Sequence, residues 1–116
     1  METVVIPANT SVRLEIKISS DAIVGSYVSL NDNVIKRSQQ YRFFVDLDNS
    51  NDLNNSVLSS VSNFFVAMGD IDPIMNTTKV IYTLKFGGEE IVFEGDKVKI
   101  NEDLFMAFFI VKLVTV

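Results

Sequence analysis

The sequence predicts a mainly β fold: an antiparallel β-sandwich of about seven to nine strands with one short helix over residues 56–68. Three stretches carry that prediction. Ser11–Ile18 alternates apolar and polar residues without a break, Gly87–Gly88 sits between two alternating runs, and Leu104–Val111 is an unbroken apolar run. Alternation is the period-two signature of a strand with one face on a core and the other in water. A Gly-Gly pair supplies the positive φ values that a two-residue hairpin turn demands. The apolar run is too short to cross a bilayer, which takes about 20 residues, and its Phe, Ile and Val content favours a strand. At 116 residues, one domain spanning 1–116 follows.

Taken in order, Thr3–Ile6 is a short β-prone run closed by Pro7, which cannot donate to a ladder and suits an edge or a strand end. In Ser11–Ile18, Val12, Leu14, Ile16 and Ile18 point to the core and Arg13, Glu15 and Lys17 to water. Ile23–Leu30 is a further strand in which Gly25 marks a candidate bulge. Asn31-Asp32-Asn33 reads as a three-residue hairpin loop into Val34–Lys36, since Asn and Asp tolerate left-handed backbone. Gln40–Asp48 alternates again, with Tyr41, Phe43, Val45 and Leu47 inward; Phe44 falls out of phase and is the aromatic expected at a surface. Asn49–Asn55 is the most polar stretch and reads as a loop.

Ser56–Met68 is the ambiguous segment. Val57, Leu58, Val61, Phe64, Phe65 and Met68 fall on one helical stripe, Asn55 or Ser56 can cap its start, and Gly69 suits its end. A helix is therefore expected, with a strand over Ser62–Met68 as the alternative. Asp70-Ile71-Asp72-Pro73 reads as a turn. Thr77–Phe86 and Glu89–Glu94 form a hairpin whose register can be written out: Phe86 faces Glu89, Lys85 faces Glu90, Leu84 faces Ile91 and Tyr82 faces Phe93. Lys97–Ile100 follows with Val98 and Ile100 inward, and a turn at Asn101–Asp103 leads into the last strand, so the final three strands read as a meander. In Leu104–Val116 the odd positions Phe105, Ala107, Phe109, Val111 and Leu113 make one apolar face. The even positions Leu104, Met106, Phe108 and Ile110 make a second. A strand apolar on both faces must be covered on both. Packing of the even face against residues 56–68 would make the domain self-sufficient; an open even face would be an assembly surface.

Composition narrows the chemistry. The chain has no His, Cys or Trp, so nucleophile–His–acid catalysis, thiol catalysis and His/Cys zinc sites are excluded. No disulfide and no cofactor are expected. Net charge is −5, from 10 basic and 15 acidic residues with no basic run, which disfavours phosphate neutralisation and hence nucleic acid. The start METVVIPANTSVRLE lacks the basic and apolar regions of a signal peptide, so no export signal is expected and the location expected is cytoplasmic or virion. The candidate metal ligands are Asp46, Asp48 and Asp52, which offer oxygen at close spacing, together with Asp70 and Asp72. Against an EF-hand loop the pattern fails, because Asn51 stands at the glycine position and Val57 at the bidentate Glu position, so solvated turns are the preferred reading. Nothing selects a carboxylate pair for hydrolysis. Tyr27, Tyr41, Phe44 and Tyr82 could line a sugar-stacking surface, although a covered face is the preferred reading. Asn9, Asn54 and Asn76 begin Asn-x-Ser/Thr triplets of the kind an Asn-rich chain contains by chance.

An apolar content of 47% with nine Phe exceeds what one small domain needs to bury. The function expected is therefore a non-enzymatic structural or interaction module, assembled as a homo-oligomer or with other subunits in a larger particle, such as a virus or phage particle or an injection machine. The interface residues expected are Phe44, Leu104, Met106, Phe108 and Ile110. The alternative is a loop-based module for carbohydrate or calcium.

Overall fold

The computed structural model describes residues 1–116. Its strands divide between two stacked sheets. The larger has six strands: β1 (Glu2–Ile6), β3 (Ile23–Leu30), β4 (Asn33–Ser38), β6 (Ser56–Phe65), β9 (Asp96–Lys99) and β10 (Leu104–Thr115). They run in the order β1-β10-β6-β3-β4, and β9 shares with β1 the outer side of β10. The smaller sheet holds β5 (Arg42–Asn49), β2 (Ser11–Ser19), β7 (Lys79–Phe86) and β8 (Glu89–Glu94), in that order. This is the mostly β, sandwich-like architecture that the alternation predicts, with ten strands rather than seven to nine and one parallel pair, β1 with β10. The strand added to the expected set is β6, and the two short strands β1 and β9 divide one edge of β10 between them.

The odd face of β10 is buried throughout: Phe105, Ala107, Phe109, Val111 and Leu113 all enter the core. Opposite them lie Leu14, Ile16, Tyr82 and Leu84 from the smaller sheet, each without solvent exposure. Phe105 stacks on Phe64 at 4.6 Å, and Phe109 stacks on Tyr82 at 4.7 Å. The β7–β8 register is the one written from the sequence, residue for residue, and both Gly87 and Gly88 have positive φ. Lys85 nonetheless bonds Glu15 on β2 at 2.7 Å rather than Glu90 opposite it.

The structure corrects several expectations. Residues 56–68 are not a helix: β6 is a central strand between β3 and β10. The apparent helical stripe arose because the strand is apolar on both faces. Leu58 and Phe64 point inward while Val57, Val61 and Phe65 point outward. Ser56, a candidate cap for that helix, is buried in the sandwich together with Ser60 and Ser62. A helix forms instead at α1 (Ile71–Thr77), where a turn was expected. Pro73 lies in its first turn, where no intrahelical N–H is needed. Buried Ile71 anchors it, and Lys97 Nζ donates to the carbonyls of Met75 and Thr78 at its end, both at 2.8 Å. The β3–β4 loop has two residues, not three, because Asn31 and Asp32 both take positive φ and Leu30 pairs with Asn33. No bulge falls at Gly25; the register slips at Val28/Ser29 instead. The last strands are not a meander. The chain leaves the smaller sheet at the end of β8 and enters the larger one at β9. Val98 and Ile100 are therefore exposed rather than inward, since Val98 pairs with Met106 on the outer side of β10. The polar loop at 49–55 is partly interior: Ser50 bonds Pro7 and Thr10, and Leu53 is fully buried.

Buried Ser60 and Ser62 lie at the tip of Tyr82, and buried Ser26 adjoins Ser62. Ser26 and Ser62 bond one another at 2.7 Å, and Ser60 donates to the Tyr27 carbonyl at 3.1 Å, while the Tyr82 hydroxyl completes no hydrogen bond. Small residues on β3 and β6 thus make room for one large ring from the opposite sheet. Burial pushes the Tyr82 phenol up to about 12, tempered by the nearby Ser62 and Ser60 hydroxyls. The folded state therefore holds this proton more tightly than the unfolded chain does. The associated stability is whole below the unfolded pKa of about 10 and is lost as pH rises towards 12, by up to about 2–3 kcal/mol. Denaturant unfolding between pH 9 and pH 12 is expected to show this loss as an excess over that of Tyr82→Phe; identical alkaline profiles for the two proteins would contradict it.

Candidate interaction surface

The outer faces of the two sheets differ in kind. On the smaller sheet many outward positions of β2, β5 and β7 are charged, and four of those charges pair with one another. Arg13 Nε donates to Asp46 at 2.7 Å, and Lys85 bonds Glu15. These contacts hold the Glu15 carboxyl below its usual range, through the Lys85 bond, and raise Arg13, through the Asp46 bond. The Arg13 guanidinium also lies over the Phe44 ring, 4.1 Å from its centroid, a cation–π contact. This is a solvated, largely charged face with two ion pairs at its centre.

The larger sheet presents the opposite. The register of β3, β6 and β10 aligns its outward residues in rows. Ile23, Phe65 and Leu104 form the first; Gly25, Asn63 and Met106 the second, extended by Val98; Tyr27, Val61 and Phe108 the third; Ser29, Ser59 and Ile110 the fourth. Ile23 is 60% exposed and Ile110 45% exposed. Phe65, Leu104 and Val98 are exposed, and Met106, Val61, Tyr27 and Phe108 are half-buried by one another. Nothing lies over them, because β6 flanks β10 within the sheet instead of covering it. Formal charge enters only at the margins, as Arg37, Asp96 and Lys112. A continuous apolar face on a sheet centre is where a protein partner gains most from exclusion of water.

Four of the five expected interface residues, Leu104, Met106, Phe108 and Ile110, therefore share one surface, whereas Phe44 lies on the outer face of the other sheet beneath Arg13. Sequence reasoning missed Ile23, Val61, Phe65 and Val98. The apolar outward positions of β6 were a usable signal, hidden by the helical reading of that segment. The candidate metal ligands are not brought together. Asp46 is held by Arg13, Asp72 bonds Lys99 at 3.2 Å, Asp48 and Asp52 stand apart from them, and Asp70 caps α1 in position without a side-chain bond. No group of three or more acidic residues converges on a point that could hold a metal. The four aromatics considered for sugar stacking share no surface: Tyr82 is core, Phe44 and Tyr27 lie on opposite sheets, and Tyr41 donates its hydroxyl to the Ala22 carbonyl. No helix is long and apolar enough to cross a membrane. No family model, curated protein or solved structure matches the chain.

Proposed function

We propose that the chain is a non-enzymatic structural subunit and that it assembles by packing the outer face of its larger sheet on the same face of a second copy. The observation that carries this reading is the predominantly apolar outer surface along β10, β6 and β3, which only Asn63 and two serines interrupt. Self-complementarity favours a second copy as the occupant. Phe108 stands midway along the outward stripe of β10, with Glu102 and Asp103 beyond one end and Lys112 at the other. A two-fold axis near Phe108 places each Lys112 over the acidic end of the partner, the isologous arrangement that closed dimers use. Sheets stacked face to face pack about 10 Å apart with interdigitating side chains, a spacing that Ile23, Phe65, Leu104 and Ile110 can fill from both sides. A place in a larger particle of the virus, phage or injection-machine kind rests on the same surface and on the absence of catalytic residue types.

Analytical ultracentrifugation of the wild type and of the Phe108→Glu/Ile110→Glu variant tests the face. Concentration-dependent association is expected for the wild type, with the dissociation constant of the face contact raised at least about a hundredfold in the variant while the fold persists. A wild type that stays monomeric at high concentration, or association that is indifferent to the two glutamates, would overturn the reading.

A further inference from the structure

We infer that two free sheet edges, β4 and β8, pair with one another between copies and join them head to tail. Both are edge strands: β4 bonds only β3, and β8 bonds only β7. Each leaves one row of backbone N–H and C=O groups without a strand partner, the template on which another strand adds. They also lie on opposite flanks of the sandwich. β4 runs into β5 on one side, and β8 runs through Gly95 into β9 on the other. A contact between them therefore propagates from copy to copy instead of closing on itself.

Charge selects this pairing. β4 (NVIKRS) carries Lys36 and Arg37 and no acid, while β8 (EEIVFE) carries Glu89, Glu90 and Glu94 and no base. The molecule forms ion pairs from Arg13, Lys85 and Lys99, and none of these five edge charges takes part in one. Edge charges ordinarily guard against pairing, and here they guard against symmetric pairing: β4 on β4 opposes bases, and β8 on β8 opposes acids. β5, with Asp46 and Asp48, is likewise repelled by β8. β4 against β8 sets two bases against three acids with no charge of the other sign on either strand, whereas β5 carries Arg42 beside its acids.

The outward positions match as well. Arg37 lies outward beside Tyr27, and Glu90 lies outward beside Lys85. Neighbours in an antiparallel pair share a face, so a register with Arg37 opposite Glu90 is open to the joint, and it is the one that pairs their charges. The register slip that passes over Ile35 then sets Val34 opposite Val92, both exposed apolar residues. The joint makes the larger sheet of one copy continuous with the smaller sheet of the next. It uses no residue of the apolar face, so the two contacts stand or fall separately.

Charge-swapped chains test it by ultracentrifugation. K36E/R37E makes both edges acidic, and E89K/E90K/E94K makes both basic. Each alone is expected to weaken the edge joint at least about tenfold and to stop at the species that the face contact supports. An equimolar mixture is expected to restore the larger assemblies, because each basic edge then meets an acidic one. Raising salt from about 0.05 M to about 0.5 M is expected to dissolve the wild-type joint and spare the apolar contact. Should either chain fail to fold by circular dichroism, R37E and E90K form the milder pair, with the same expected outcomes. If the face reading alone fails, the single variants are monomers and the mixture still assembles. Single variants that assemble like the wild type, or a mixture that restores nothing, overturn the edge joint.

Discussion

Phe105→Ala is expected to lower the free energy of unfolding by about 3–5 kcal/mol, and Phe108→Ala on the same strand by less than about 1.5 kcal/mol. The side chains are chemically identical and three residues apart; what separates them is which way they point. Phe105 is 1% exposed and stacked on Phe64, so truncation removes the transfer energy, leaves a void between two sheets that cannot collapse freely, and breaks the aromatic pair. Phe108 rests on Val61 and Tyr27 at the outer surface, where solvent can fill the space. Association is expected to show the reverse order, with Phe108→Ala weakening the dimer and Phe105→Ala sparing it while the protein stays folded. Urea titration followed by circular dichroism, paired with sedimentation of the same samples, measures both. Equal stability losses for the two variants would contradict the assignment of faces.

Gly95→Ala is expected to cost about 1–3 kcal/mol, far more than its single added methyl suggests. Gly95 is the point where the chain passes from β8 in one sheet to β9 in the other, with its N–H bonded to the Val80 carbonyl at 2.8 Å. A Cβ there would stand 2.9 Å from Cε2 of Tyr82 and 3.5 Å from the Phe108 carbonyl oxygen. The Tyr82 ring cannot step aside, because it is fully buried and stacked on Phe109. The crossover therefore requires a residue without a side chain for space, not for an unusual φ. Replacing Tyr82 with the shorter Leu is expected to relieve the clash, so that Tyr82→Leu and Gly95→Ala together cost less than the sum of the two. Strict additivity in that double-mutant cycle would show that the two positions do not meet.

Most strands could be read from the chain because their physics is local. In β2, β5 and β7, one apolar residue in two leaves no alternative to a strand with one wet face. The β7–β8 hairpin was legible to the residue because Gly87–Gly88, the alternation and the pairing of Leu84 with Ile91 all agree. β6 was misread where that agreement failed. With apolar residues on both faces and serines inside, its pattern satisfies a helical period as well as a strand period, and only its neighbours β3 and β10 choose between them. The same limit applies to the surface. Leu104, Met106, Phe108 and Ile110 could be picked out from their own strand, but Ile23, Phe65 and Val98 join them only through register with other strands.

By itself, then, the sequence determined that this protein is a β-sandwich built on Leu104–Val116, with one face of that strand in the core and no His or Cys chemistry anywhere. Side-chain period and residue type settle those points within a few residues of chain. The tertiary structure alone decided that β6 lies beside β10 instead of over it, that the crossover at Gly95 sends β8 and β9 to different sheets, and that the even face of β10 stays open. Hydrophobicity states that a face gains by being covered. What covers it depends on strands paired across long separations in the chain, and no local pattern encodes that pairing.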